Sequence, residues 1–261
     1  MSVSHALPVE LTAPKNATDH TRTANAAVRD LLPLEDRQSF QNAARGFIAS
    51  LDDVVITRPG DGKVTYDLTD LQFLSAAAPE TANPSLWRQA QLNALHHGLF
   101  EVVDGIYQVR SFDIANMTLI RGDTGWLIID PLTSAESSQA ALDLADKHLG
   151  KRPVAGVIYT HSHIDHFGGV LGVIGPGDAI SGKVAVIAPA HFVQEALSEN
   201  VMVGNVMQRR ATYMYENLLP HSPRGFITDS LGANLSMGTT GFVPPNDTIR
   251  TTGETRVIDG I

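Results

Sequence analysis

Cysteine is absent from the 261 residues, which excludes disulfides, thiolate metal sites and a thiol nucleophile. No run of about 18 apolar residues occurs, so no membrane span is expected. Met1 to Pro14 lacks a basic stretch followed by an apolar one and does not read as a signal peptide. A cytoplasmic location is expected, with periplasm or secretion as the alternatives. Charged residues are scarce at 18%, and acids outnumber bases 28 to 19, for a net charge of −9. A surface of that sign repels phosphate backbones and makes nucleic acid a poor partner. Internal repeats and low-complexity tracts are also missing. Together with 43% hydrophobic residues, this excludes collagen, coiled-coil and wholly disordered chains and leaves one large domain or two small ones.

The chain changes texture near residue 99. Residues 1–30 are rich in Ala, Thr, Asn and Ser with little periodicity and read as an extended arm or a surface wrap. Asp36 to Ser50 places Phe40, Ala44, Phe47 and Ile48 on one helical face. Val54–Ile56 and Val64–Tyr66 flank a Pro59–Gly62 turn as a short hairpin, and Asn83–Pro84–Ser85 opens a helix carrying Trp87, Leu92 and Leu95. From Leu99 the signals become those of a sheet. Asp104–Gly105 and Gly122–Gly125 are turns between apolar strands, Phe100–Val103 with Ile106–Val109 and Met117–Ile120 with Trp126–Ile129. Thr133 and Glu136 fit a capping box for a helix ending at Gly150. Strands are expected at Val154–Tyr159, Val184–Ile187 and Arg256–Ile258, and a helix at Asn205–Asn217. Antiparallel strands followed by alternating helices and strands indicate a layered α/β sandwich. The expected division is an extension of helices and short strands over 1–98 and a sandwich portion over 99–261.

The sharpest chemical signal is Thr160–His161–Ser162–His163–Ile164–Asp165–His166–Phe167–Gly168–Gly169, directly after a strand. Three imidazoles and a carboxylate lie within six positions. His161 and His163 can converge on one cation, and Asp165 and His166 can face a second. Nitrogen and oxygen donors of this kind suit zinc, and a pair of adjacent ions suits hydrolysis. Gly168 and Gly169 would let a following helix start close to the loop. His5, His20, His96, His97 and His148 read as ordinary surface or core histidines. His191 and His221 are weaker candidates for metal contact.

The run resembles the His-x-His-x-Asp-His signature of the metallo-β-lactamase superfamily. That resemblance implies an αββα sandwich, of which this chain carries the first half behind an N-terminal extension. It implies two Zn2+ ions, one on His161 and His163 and the other on Asp165 and His166. Asp130, at the end of Trp126–Ile129, takes the place of an acid that braces the metal loop without ligating.

The flanks are similar to the alkylsulfatase branch: Asn116–Ile120, Gly122–Trp126, Ile129–Thr133, Val157–His163, Arg209–Tyr215 and Pro244–Ile261. This implies hydrolysis of alkyl sulfate esters to an alcohol and inorganic sulfate, in a homodimer. Candidate catalytic residues are then Asp165, Arg209, Tyr213 and Tyr215, with Arg210 beside Arg209 as a further sulfate anchor. Met202, Met207 and Met214 could line an alkyl tunnel. The plain readings of these residues are solvated cations and helix packing. Attack at carbon and attack at sulfur are both compatible with the residues present.

The family needs further acidic and His ligands, and 1–261 offers no convincing positions for them. The expected partner is therefore the C-terminal remainder of the same polypeptide, or a separate chain carrying it. The alternatives are another hydrolase of the fold, such as a lactonase or thiolesterase, or a non-catalytic piece that needs a partner chain.

Overall fold

In the computed structural model, which describes residues 13–215 and 218–261, the turns at Asp104–Gly105 and Gly122–Gly125 fold the middle of the chain into an antiparallel meander. Its strands are β4 (Gly98–Val103), β5 (Ile106–Arg110), β6 (Met117–Arg121) and β7 (Trp126–Ile129). Alternation buries Tyr107 and Val109 and leaves Ile106, Gln108 and Arg110 half-covered. A helix, α4 (Ala135–Leu149), then carries the chain across to β8 (Val154–Ile158), which pairs parallel to β7. Parallel pairing requires such a crossover. β9 (Ala185–Pro189) and β10 (Asp247–Ile249) continue in parallel. With the edge strand β1 (Phe47–Ala49) they form one eight-stranded sheet in the order β1-β4-β5-β6-β7-β8-β9-β10. β2 (Val55–Thr57) and β3 (Val64–Asp67) make the separate small hairpin expected from its turn.

The core has two parts. One gathers Leu99, Val109, Phe112, Met117, Leu119, Trp126 and Ile128 from the meander with Trp87 and Ala141 from helices. The other surrounds Tyr159, with Phe167, Val186 and Phe192. Among the described residues, no helix is long and apolar enough to cross a membrane.

Several expectations fail, each for a local reason. Asp19–Leu31 is helical rather than an extended arm, though it lies on the surface as a wrap would. Thr18 accepts from the Thr21 N–H at 3.2 Å and caps α1 (Asp19–Leu31). Residues 1–12 of the expected arm, His5 among them, lie outside the described residues. Asp36–Ser50 is not one helix: α2 (Gln38–Ala44) stops and β1 begins. Gly46 decides this. Its φ is +76°, and a Cβ there would run into the Glu101 carbonyl. That close approach lets its own carbonyl accept from the Glu101 N–H at 2.7 Å. α3 (Pro84–Ala94) begins as expected at the Asn83 cap.

The capping box at α4 shifts by one residue, so that Ser134 caps the helix. Thr133 is occupied with Asp113, and Glu136 with Thr239. No full helix follows Gly168–Gly169, only a 3-10 turn at Val170–Gly172. Arg256–Ile258 is not a strand. Arg256 is drawn to Asp247 and Glu254, and Ile258 closes a turn with Ile261. α5 (Phe192–Leu197) runs into a π-helical turn at Ser198–Met202, followed by α6 (Gly204–Tyr215). Asn217, the expected end of α6, lies outside the described residues.

Candidate metal centre

Two parallel strands end side by side, and each delivers a carboxylate or imidazole to the same place. Asp130 follows β7 with φ +55°, a left-handed conformation that Asp tolerates better than most residues. Its carboxylate accepts from the Thr160 N–H at 2.8 Å and the Thr160 hydroxyl at 2.7 Å, and pairs with His166 Nδ1 at 2.9 Å. Asp130 therefore ties the β7 end to both ends of the loop after β8. A 3-10 turn, Ile164–His166, brings Asp165 and His166 back toward His161. The His161 and His166 ring centroids lie 4.1 Å apart. Gly168 and Gly169 are required here for close approach rather than for starting a helix. A Cβ on Gly169 would strike the Pro131 carbonyl and the Ser138 hydroxyl.

The donors face one another in two pairs. His161 Nε2 lies 3.1 Å from His163 Nδ1, and His166 Nε2 lies 3.0 Å from Asp165 Oδ2. Burial disfavours a charged His166, but its bonds to Asp130 and Asp165 outweigh this and raise its pKa to about 9. Burial acts to raise Asp165, yet the His166 hydrogen bond and charge leave it below the usual carboxylate value. Burial, then the His166 and His163 charges, push His161 down. The result is an imidazolium, His166, held between two carboxylates beside His161, whose charged form is disfavoured.

Nitrogen and oxygen donors in close pairs fit a cation of zinc's chemistry, and Asp130 on His166 Nδ1 is the outer bond that such a ligand normally has. Each pair supplies two donors, fewer than the four that zinc takes. Among the described residues, no three His, Asp or Glu side chains form a set able to hold a metal ion by themselves.

The other candidates separate. Arg209 and Tyr213, four apart on α6, share the solvent face, and Tyr213 is 83% exposed. Arg210 is exposed as well. Tyr215 lies on the half-buried side with Met207 and Ala211. Burial, then the Asp229 and Asp165 charges, raise its phenol above the ordinary value. Of the two tyrosines, Tyr215 is the half-buried one and Tyr213 the solvent-facing one. Met202 and Met214 are exposed rather than lining an enclosed tunnel. His191 is exposed at the start of α5. His221 stacks on Phe226 and faces Asp70 at 3.5 Å, in surroundings of its own.

Sequence reasoning missed Glu199, whose Oε1 lies 3.7 Å from His163 Nε2. The π-helical turn that places it leaves no signature in composition. It also missed Asp113, buried between β5 and β6. Asp113 accepts from the Ile114, Thr133 and Ser236 N–H groups and from the Thr133 and Ser236 hydroxyls.

The model for the metallo-beta-lactamase superfamily matches residues 110–255, which contain the whole loop. The chain belongs to the metallo-beta-lactamase superfamily. Within that superfamily it is 51% identical over 249 residues to a linear primary-alkylsulfatase of Pseudomonas, covering 95% of this chain and 37% of that protein. It is 44% identical over 248 residues to an alkyl/aryl-sulfatase of Saccharomyces cerevisiae, covering 95% and 38%. The solved structure of a stereoselective inverting sec-alkylsulfatase from Pseudomonas superposes with a TM-score of 0.90 at 43% identity, covering 95% of this chain and 39% of the other. The superfamily fold expected from the loop and its flanks is therefore present, as a part of it. The chain spans less than two-fifths of the length of these relatives.

Proposed function

We propose that this chain is the metal-loop portion of an enzyme that hydrolyses alkyl sulfate esters to an alcohol and inorganic sulfate. The observation that carries the reading is the pair of two-donor sets at the strand ends, in a chain this similar to alkylsulfatases. His161 and His163 would hold one zinc ion, and Asp165 and His166 the other. The remaining donors would come from protein outside residues 1–261, in the same polypeptide or a separate chain. Bound zinc supplies Lewis acidity toward the oxygens of the sulfate ester.

The chain's own residues prepare the site. Asp130 accepts from His166 Nδ1 and so aims Nε2 at Asp165. Thr160, bonded through its hydroxyl to both Asp130 and His161 Nδ1, orients the first imidazole in turn. Tyr215 keeps its phenolic proton at neutral pH and can donate to an ester oxygen. Arg209 would approach the sulfate only if α6 turned its solvent face toward the loop. The reading includes a homodimer of the whole protein.

The test is sulfate release from dodecyl sulfate by the full-length polypeptide supplied with zinc. Release that disappears with His163→Ala supports the reading. Turnover of a lactone or thiolester without sulfate release contradicts it. Residues 1–261 alone are expected to release none.

A further inference from the structure

The three imidazoles of the loop each face a polar partner at both ring nitrogens. One nitrogen of each is turned to a neighbouring donor: His161 Nε2 and His163 Nδ1 face each other, and His166 Nε2 faces Asp165. The other nitrogen meets an oxygen. His161 Nδ1 lies 2.9 Å from the Thr160 hydroxyl, and His166 Nδ1 lies 2.9 Å from Asp130 Oδ2. His163 Nε2 lies 3.7 Å from Glu199 Oε1. Thr160 and Asp130 follow the strand ends, but Glu199 comes from a separate element, the π-helical turn at Ser198–Met202.

Two features single out Glu199. The Val203 N–H bonds at 3.0 Å to the Ser198 carbonyl, five residues back, so the helix is widened by one residue where Glu199 leaves it. Such insertions recur at functional sites. The Glu199 side chain is 24% exposed, and among the described residues it forms no ion pair other than that with His163. A carboxylate covered to that extent calls for a donor. His163 in turn calls for a hold on its ring. Its side chain is 61% exposed, against 23% for His166, so packing does little to fix it.

Zinc on the facing nitrogens would leave the His163 proton on Nε2, the nitrogen that Glu199 faces. A carboxylate there fixes the tautomer and the ring, and makes the ligand nitrogen more basic. The 3.7 Å separation is an ion-pair distance, and a shortening of about 0.8 Å makes it a charge-assisted hydrogen bond. Bonds of this kind are often long until a site is loaded.

We propose that Glu199 is the positioning residue of His163: its carboxylate accepts from His163 Nε2–H and so aims Nδ1, as Asp130 does for His166 from the opposite nitrogen. The inference rests on zinc binding at His161 and His163.

Zinc affinity of the full-length protein tests it, read by stepwise competition with a chelator while circular dichroism follows the fold. The unsubstituted protein is expected to bind two zinc ions. Glu199→Ala is expected to keep both at saturating zinc and to release one of them about 10–100-fold more readily. Glu199→Gln retains an acceptor oxygen without the charge and is expected to fall between the two. Asp130→Ala is expected to loosen the other ion, so that the double variant loosens both. If Glu199→Ala fails to fold, the isosteric Glu199→Gln carries the test, with one ion again expected to loosen. A role confined to the fold would lower thermal stability without singling out one ion. The inference is overturned by zinc affinity unchanged in the folded Glu199 variants, by equal loosening of both ions in Glu199→Ala, or by Glu199→Gln binding no more tightly than Glu199→Ala. It is also overturned by one zinc missing from Glu199→Ala at saturation, which would make Glu199 a direct ligand. An unsubstituted protein that binds no zinc overturns the underlying reading as well, whereas two zinc ions indifferent to Glu199 overturn this inference alone.

Discussion

Asp113 and the Asp165–His166 pair are both acidic constellations beside the same strand ends, and they are finished differently. Asp113 is buried, and its two oxygens take five donors from three segments, so its own chain satisfies it completely. The loop donors turn to each other in twos, and His161 and His163 lie partly in solvent. The first arrangement has no capacity left and holds the fold. The second keeps capacity for a ligand. Burial and hydrogen-bond completeness distinguish the two where residue type does not.

That contrast can be broken or sharpened by experiment. The largest effect should come from Asp113→Ala, which leaves buried N–H groups of Thr133 and Ser236 unmatched and should cost about 3–5 kcal/mol. Chemical denaturation measures this, and a loss below about 1 kcal/mol would erase the contrast. Next is Asp130→Ala in the full-length protein. Zinc affinity should fall about 10–100-fold while catalysis at saturating zinc suffers less. Competition with a chelator reads it, and unchanged affinity would count against Asp130 as the brace.

Asp229 comes third. Burial raises its carboxyl to about 6, with the Leu235 N–H pulling down and the Asp113 charge pushing up, and its Oδ2 has no partner among the described residues. A folded-state value above the ordinary 3.8 means that the folded protein holds the proton more tightly. Stability is therefore lost as pH rises from about 4 through 6. Asp229→Asn should stabilise by about 2 kcal/mol at pH 7.5 and by almost nothing at pH 4. Melting curves at both values decide it, and equal effects at both would contradict the burial argument. The smallest effect is Thr18→Ala, which should cost about 1 kcal/mol and fray α1. No change in stability would mean that the Thr18 cap contributes little to that helix.

What could be read from the sequence was local. The Asp104–Gly105 turn, the Asn83–Pro84 cap and the loop at 161–166 each compress their signal into a few adjacent residues. α1 escaped notice because it docks with little apolar stripe. Asn25 is buried and donates to the Glu80 carbonyl at 2.8 Å, an attachment that periodicity does not register. β1 was hidden because Phe47 and Ile48 continue the spacing of Phe40 and Ala44, and only the backbone of Gly46 reveals the break. The buried bonds of Asp113 and Glu136 were out of reach for another reason. Their partners Ser236 and Thr239 lie 123 and 103 residues away. In the site itself, helix phase sorted Tyr215 from Tyr213, which residue type alone could not do.

The most direct test of the central claim is zinc bound per chain, measured by elemental analysis on the full-length protein and on a variant with His161, His163, Asp165 and His166 all replaced by Ala. The account predicts two zinc ions in the first and none in the second, with the fold of both confirmed by circular dichroism. Zinc retained at full stoichiometry in the folded quadruple variant would contradict it.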